Sequence, residues 1–275
     1  MVGSRRAAEI VRVVLIGLAV IWSVAPLYWM YATSLKPPAL TWQLPPALLY
    51  PPYLDYYVQV FTTTPFWPYL VNTLIVAVTT TVISLTVGSF AAYGFTRFRF
   101  PGSDVLPLFY LVVRMLPRFV LVIPLYIVMR ELGLLNTRQA LIIAYTTFSL
   151  PFVIWMMIGF FKEIPIELEE AAMVDGCNRF HVLWRVVLPL AAPGLAATSI
   201  FAFLLGWNEF LFSLVLAGRD SRTLPNIATS FTSDRGVEWG LVMATGSLVL
   251  LPVIALALLV QKHIVRGMTL GAVKG

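Results

Sequence analysis

Few side chains in this sequence are placed to do covalent or metal chemistry. Its 275 residues include two histidines and one cysteine. Neither His181 nor His263 has a second metal ligand at a spacing that metal sites use, and Cys177 alone forms no intrachain disulfide. The phosphate-binding pattern GxxxxGK[ST] does not occur in the sequence. We therefore expect no catalytic residues, metal or cofactor on this chain, and no ATP hydrolysis by it.

Polar side chains inside apolar runs are the second place to look for chemistry. Arg114 and Arg118 are four residues apart, which predicts one face of a helix, and Pro117 and Pro124 are expected to break that helix. An arginine at the centre of a membrane costs about 2.5–3.5 kcal/mol. These arginines are therefore expected to face water, a partner helix or a carboxylate, and Glu209 is the predicted carboxylate partner.

Asn208, beside Glu209, can form hydrogen bonds between membrane helices. Two interpretations of these four polar residues stay open. They form either an intramembrane clamp that holds helices or a partner chain together, or part of a polar path through the membrane. Trp155, Trp207 and Trp239 could stack on a sugar ring, but tryptophans at such positions more often lie at the headgroup level.

The elements that position these residues are membrane helices. The sequence is 59% hydrophobic and 12% charged, and a soluble domain of this size cannot hide so much apolar surface. Its positive charges are scattered, which argues against a nucleic-acid partner. We predict an all-α membrane protein in contact with lipid, with about six spans. They cover residues 13–33, 70–95, 106–128, 141–161, 194–216 and 240–261.

The distribution of positive charge predicts the orientation. Alternate connections carry eleven lysines and arginines on one side and six on the other, so both termini are predicted to be cytoplasmic. The basic N-terminal segment resembles a signal peptide, but the apolar run that follows it is long and lacks a cleavage pattern, which favours an uncleaved helix. Residues 35–68, rich in proline and aromatic residues, are predicted to form an extended loop outside.

A polar segment separates the fourth and fifth predicted spans. Glu169 and Glu170 are predicted to lie near the start of a first helix that Gly176, in a left-handed conformation, ends. A second helix over residues 179–188 carries Phe180, Leu183, Trp184 and Val187 as an apolar stripe. The segment either rests on lipid headgroups or docks its small and apolar faces against a partner.

The spacing within this segment resembles a known family. The pattern begins with Glu170-Ala171-Ala172, followed by three residues and Gly176, and after nine more residues it ends with Val186, any residue, Leu188 and Pro189. It is similar to the signature of binding-protein-dependent ABC import permeases, with valine where isoleucine is usual. The segment Trp207-Asn-Glu-Phe and the C-terminal residues 261–275 resemble carbohydrate-uptake permeases, above all MalG-type subunits. The resemblance covers residues 70–275.

This resemblance implies a type I importer fold, similar to MetI, and a role in sugar import. It implies a MalF-like companion permease, two MalK-like ATPase subunits that hold ATP and Mg, an external sugar-binding protein, and the inner membrane of a prokaryotic cell. Maltose- or trehalose-like oligosaccharides are the expected substrates. Glycerol phosphate is the alternative substrate, since arginines bind anions, and an ion-driven transporter is a weaker alternative because no inverted repeat is visible.

The resemblance also assigns sites and domains. Residues 1–69 are expected to form the first span and outer loop, and residues 70–275 the permease core. Within the core, residues 162–190 form the coupling segment and residues 262–275 a cytoplasmic tail. The residues expected to couple to the ATPase are Glu169, Glu170, Ala171, Ala172, Asp175, Gly176, Leu188 and Pro189. The tail residues expected to contact the ATPase pair are Thr269, Leu270, Gly271, Val273 and Lys274.

Overall fold

The protein is built almost entirely from helices. The computed structural model describes residues 2–233 and 236–272, and the side chains of residues 9–233 and 236–258. The main helices are α1 (Val2–Ser34), α2 (Pro38–Thr41), α3 (Asp55–Thr63), α4 (Phe66–Arg97), α5 (Leu106–Met115), α6 (Arg118–Glu131), α7 (Arg138–Lys162), α8 (Ile166–Val174), α9 (Arg179–Val182), α10 (Leu188–Leu190), α11 (Ala192–Trp207), α12 (Leu211–Leu216) and α13 (Trp239–Ala272).

Shorter regular segments complete the chain. A π-helical turn, Leu183–Val187, joins α9 to α10, and a 3-10 helix covers Leu224–Phe231. Two antiparallel strands of two residues each, β1 (Thr232–Ser233) and β2 (Gly236–Val237), form a small hairpin. This hairpin is too short to change the predicted all-α class, which is confirmed.

Six membrane spans agree with the described helices. Four helical stretches are long and apolar enough to cross a membrane alone: Glu9–Ser34, Phe66–Arg97, Arg138–Lys162 and Trp239–Leu258. Two bent helix pairs bring the number to six if each pair is counted as one span. Residues 9–29 of α1 are exposed, whereas Thr33 and Ser34 at the end of this helix are buried.

The third span is broken, which corrects one sequence prediction. Helices α5 and α6 meet at 97° around Leu116 and Pro117. Proline has no N–H to donate and forces the preceding residue out of the helical region, and Leu116 has an extended conformation with ψ 131°. Arg114 and Arg118 therefore lie on two different helices and do not share one helix face. Pro124, by contrast, lies inside α6 and does not end it.

The fifth and sixth spans also differ from the predicted limits. The predicted run 194–216 is interrupted, because α11 ends at Trp207 and α12 begins at Leu211. Helix α13 continues to Ala272, past the predicted inner end of the sixth span at residue 261. A short polar break thus follows α11, and the last helix includes most of the predicted tail.

Two compact units divide the described structure. The first comprises residues 1–66 and 227–251, and the second comprises residues 67–226 and 252–275. In the second unit, α4, α7 and α11 pack closely at glycines: a Cβ on Gly88 would lie 2.7 Å from Val153 Cγ1, and one on Gly206 would lie 3.2 Å from Ala77 Cα. This division reflects compactness, so the predicted functional division at residue 69 stays a prediction.

Candidate functional site

The first helix of the coupling segment, residues 162–190, has well-defined ends. Pro165 stands immediately before α8 with φ −58°, and Glu167 and Glu169 occupy the first turn, where a carboxylate is favoured by the helix dipole. At the other end, the Gly176 N–H donates to Met173 O at 3.1 Å and the Cys177 N–H donates to Ala172 O at 3.0 Å.

These two bonds form a Schellman motif, which needs a residue with positive φ at its centre. Gly176 has φ +91°, so its predicted left-handed conformation is confirmed. A Cβ at this position would meet nothing within 4 Å. The requirement for glycine is therefore conformational and not steric, and the sharp turn fixes the direction in which the chain leaves α8.

Asn178 begins the second helical stretch of the coupling segment. Its side-chain oxygen accepts a hydrogen bond from the His181 N–H at 2.9 Å, which is a helix N-cap. The predicted apolar stripe is divided between two environments. Leu183 and Val187 are buried in the core of the second unit, whereas Phe180 and Trp184 are 58% and 50% exposed. The buried pair holds the helix, whereas the exposed pair lies at the surface, where the Phe180 ring stacks on the Phe90 ring of α4.

A buried ionic cluster fastens α8 to the membrane helices. The Arg97 Nε–H donates to Glu169 Oε1 at 2.5 Å, and the Tyr93 hydroxyl donates to Glu169 Oε2 at 3.0 Å. The Arg97 guanidinium also donates to the carbonyl oxygens of Phe161 and Ile164 at 2.8 and 3.1 Å. One arginine at the end of α4 therefore joins α8 to the C-terminal end of α7, where a cation is favoured.

The burial of this cluster gives Glu169 a role that its sequence position did not reveal. Its side chain is 0% exposed and that of Arg97 is 5% exposed. Glu169, predicted among the ATPase-coupling residues, therefore cannot offer its carboxylate to a partner and instead positions the helix. Sequence reasoning missed Tyr93 and Arg97, because their partner lies more than 70 residues away along the chain.

The other predicted coupling residues lie on the outside of the segment. Glu170, Ala171, Asp175, Gly176 and Pro189 are exposed, and Ala172 and Leu188 are half-buried. Val174, between them, is 88% exposed. The second unit thus presents a surface of small, apolar and acidic side chains on a helix that the Arg97–Glu169 pair holds from the other side.

The predicted intramembrane pair is present in the structure. Arg118, at the start of α6, forms a salt bridge with Glu209, in the break after α11. The other carboxylate oxygen of Glu209 accepts a hydrogen bond from the Phe212 N–H at 3.2 Å, at the start of α12. The Arg118 side chain is 43% exposed and that of Glu209 is 6% exposed. The pair therefore joins three helices across both breaks.

Arg114 and Asn208 have different surroundings from those predicted. The Arg114 guanidinium lies 4.4 Å from the ring centroid of Phe152, and that of Arg118 lies 5.7 Å from the ring of Phe148, one turn away on α7. No carboxylate within the described side chains forms a salt bridge with Arg114. Asn208 donates to Leu204 O on its own helix at 3.0 Å and not to another helix.

A second polar cluster, which the sequence did not indicate, joins α4 to the loop after α12. Asn72 is fully buried, and its amide donates to the carbonyl oxygens of Asp220 and Arg222 at 2.8 Å each. Its side-chain oxygen accepts from the Arg138 Nε–H at 2.7 Å. The Leu224 N–H donates to the Thr73 hydroxyl at 2.8 Å. These bonds fix the loop at the end of the bundle opposite to the coupling segment.

The predicted tail contacts lie at the limit of the described structure. Thr269, Leu270 and Gly271 belong to α13, and their side chains are not described. Val273 and Lys274 lie outside the described residues. The contact of these residues with an ATPase pair stays a prediction.

Comparison with known proteins identifies the family. The model of the binding-protein-dependent transport system inner membrane component matches residues 84–270, which include the coupling segment and the intramembrane pair. The chain belongs to this family. It is therefore a membrane-embedded permease subunit of an ABC transport system, and the resemblance drawn from the signature is confirmed.

Relatives match this permease over nearly its whole length. The diacetylchitobiose uptake system permease protein of Streptomyces coelicolor is 39% identical over 257 residues, which cover 92% of each chain. The trehalose/maltose transport system permease protein of Thermococcus litoralis is 37% identical over 254 residues, which cover 91% of each chain.

Solved structures agree with the predicted type I importer fold. A chain of a bacterial ABC transporter that imports the acidic polysaccharide alginate matches with a TM-score of 0.77 and 26% identity, over 94% of this permease and 97% of that chain. A chain of the MetNI methionine ABC transporter matches with a TM-score of 0.57 and 21% identity, over 74% of this permease and 93% of that chain. The second match concerns the fold alone.

Proposed function

We propose that this permease is one of two membrane subunits of an ATP-driven importer for sugars of the maltose or trehalose type. The diacetylchitobiose and trehalose/maltose permeases of Streptomyces coelicolor and Thermococcus litoralis, to which this chain is similar, support a saccharide substrate. The observation that carries the mechanism is the rigid attachment of α8 through Arg97 and Glu169. A helix fixed in this way transmits a displacement of its outer face to α4 and α7.

In this proposal, the exposed face of the coupling segment docks in a groove of a MalK-like ATPase subunit. Two such subunits bind ATP and Mg, and this chain contributes no catalytic residue. When ATP brings the ATPase pair together, the coupling segments of this chain and of a MalF-like companion move with them. The permease pair then opens outward to an external sugar-binding protein. Both termini lie in the cytoplasm, and the C-terminal tail contacts the ATPase pair.

The saccharide substrates of the similar permeases favour a neutral sugar over glycerol phosphate. An anionic substrate would need positive charge that is not already balanced, and Arg118 is paired with Glu209. Arg114 lies over the Phe152 ring without a salt bridge to a described carboxylate, so the preference rests on the relatives and not on the charges. We assign the Arg118–Glu209 pair to the clamp interpretation, since it joins α6 to both sides of the break after α11.

The test is purification of the complete complex through a tag on this chain. We expect a second permease and an ATPase subunit to copurify, and a reconstituted complex to accumulate trehalose or maltose only with ATP and a loaded binding protein. Identification of the subunits by mass spectrometry and uptake of labelled sugar into proteoliposomes are the measurements. Uptake driven by an ion gradient without ATP would contradict the proposal.

A further inference from the structure

A cleft lined by aromatic rings lies in the first compact unit, in a region that the coupling mechanism does not use. It has a volume of about 360 Å³ and lies between the end of α1, the loop that follows it and the start of α13. We call it the aromatic cleft. The lining residues used below are Trp29, Lys36, Trp42, Gln43 and Trp239.

The loop that forms this cleft is fastened to α1. The Tyr50 hydroxyl donates to Ala32 O at 2.6 Å, and the Tyr53 N–H donates to Leu35 O at 2.8 Å. The hydroxyl groups of Ser34 and Tyr57 are hydrogen-bonded at 2.7 Å. These bonds hold the segment that follows α1 against the end of that helix, beside the cleft.

Lys36 supplies the polar group of the cleft. This residue is 4% exposed, and its ammonium nitrogen lies 5.4 Å from the ring centroids of both Trp29 and Tyr50. Within the described side chains, no carboxylate forms a salt bridge with it and no side-chain hydrogen bond satisfies it. An ammonium carries three N–H donors, and the Lys36 nitrogen is not among the fully buried side-chain atoms that lack a partner. These donors, at the wall of the cleft, suit a ligand with oxygen acceptors.

The aromatic side chains supply flat apolar faces beside this donor. Trp29, Trp42 and Trp239 are 49%, 71% and 38% exposed. The C–H faces of a pyranose ring pack on indole rings, while its hydroxyl oxygens accept hydrogen bonds. The volume lies within the range of about 300–1,000 Å³ that is usual for small-molecule sites. We propose that the aromatic cleft binds a saccharide through stacking on tryptophan and a hydrogen bond from Lys36.

This proposal rests on the proposed function, because it makes the cleft an outer subsite for the sugar that is imported. A lipid phosphate is the competing occupant. It would be attracted by several cations, but Lys36 is the one cationic side chain that lines the cleft among the described residues, and two aromatic rings already contact it. A neutral ligand with many hydroxyl groups fits this composition better.

Protection of an introduced cysteine tests the cleft locally. In the complete complex in proteoliposomes, Gln43→Cys places a thiol in the cleft, and Leu49→Cys, at a residue that is 95% exposed on the same loop and outside the cleft, is the control. We expect millimolar trehalose or maltose to slow maleimide labelling at Gln43→Cys at least threefold and to leave Leu49→Cys unchanged. Mannitol, which has hydroxyl groups but no ring, should protect neither.

Second variants connect this protection to the proposed contacts. Added to Gln43→Cys, either Trp42→Ala or Lys36→Met should abolish protection by sugar. A labelling rate at Gln43→Cys that does not change with sugar would overturn the proposal. Slow labelling that becomes faster only when lipid is removed would also overturn it, because it would indicate a lipid in the cleft. The wild-type complex is assayed in parallel for ATP-driven sugar uptake. Failure of that uptake contradicts the proposed function, whereas normal uptake without protection contradicts only the cleft.

Discussion

The two ion pairs of the permease core differ in burial and in what they connect. Arg97 and Glu169 are 5% and 0% exposed, and the backbone carbonyls of Phe161 and Ile164 and the Tyr93 hydroxyl complete their hydrogen bonds. Arg118 and Glu209 are 43% and 6% exposed, and they join segments at two helix breaks. The buried pair is suited to rigid transmission, whereas the half-exposed pair lies where the helices are already interrupted and is suited to holding a movable junction.

The largest effect is expected from removal of the buried arginine. Arg97→Ala leaves the Glu169 carboxylate buried without its cation, which costs about 3–5 kcal/mol. We expect the amount of assembled complex and the sugar uptake to fall almost to background, as measured by copurification and proteoliposome assays. The double variant Arg97→Met with Glu169→Leu should recover assembly, because two apolar side chains replace a buried pair without leaving a charge. No recovery would show that the charges act beyond holding α8.

Gly176→Val should separate coupling from assembly. A left-handed conformation costs a non-glycine residue about 1–2 kcal/mol, and a β-branched residue more, so the turn after α8 should change direction. We expect at least a severalfold loss of sugar-stimulated ATPase activity with normal membrane levels. Gly176→Asn, which tolerates positive φ, should keep most activity, and Gly159→Ala in α7 should have no effect. Full activity of the valine variant would argue against the importance of this turn.

The half-exposed pair should give an intermediate effect. Arg118→Ala leaves the Glu209 carboxylate with the Phe212 N–H as its remaining described hydrogen-bond donor, and an unsatisfied buried partner costs about 1–3 kcal/mol. We expect a lower melting temperature of the complex and a lower maximal rate, with an unchanged half-saturating sugar concentration. Arg118→Lys should restore most of the rate. A change confined to the half-saturating concentration would favour the translocation-path interpretation over the clamp.

The smallest effect is expected at Arg114, since it contacts the Phe152 ring and no described carboxylate. Arg114→Ala should cost about 0.5–1 kcal/mol, which is typical of an exposed cation–π contact. Thermal unfolding and uptake of the complex should both stay close to those of the wild type. An effect as large as that of Arg118→Ala would show that the two arginines act together, as their spacing in the sequence first indicated.

Local patterns in the sequence were good predictors of this fold. The apolar runs predicted six spans, a glycine at the end of the first helix of the coupling segment predicted the left-handed Gly176, and the need to neutralise an intramembrane arginine predicted the partner Glu209. Each of these follows from a rule that acts within one element or from the cost of an isolated charge.

Contacts between residues that are far apart along the chain could not be predicted from the sequence. In the sequence, Arg97 contributed only one positive charge to the count that predicted the orientation, and no residue near Glu169 indicated that its side chain faces inward. Their pairing depends on how α4, α7 and α8 pack. The placement of Arg114 and Arg118 on one face was wrong because Pro117 bends the chain by 97° between them. A proline indicates a break, but the angle is set by the helices that pack on both sides.

The central claim is that the exposed face of the coupling segment meets a nucleotide-driven partner. A photo-crosslinking amino acid at position 171, with position 112 in the exposed part of α5 as the control, tests it in membranes that hold the complete complex. We predict that position 171 crosslinks to an ATPase subunit in both the ATP-bound and the nucleotide-free state, and that position 112 does not. Crosslinking of position 171 only to lipid throughout the ATP cycle would contradict the account.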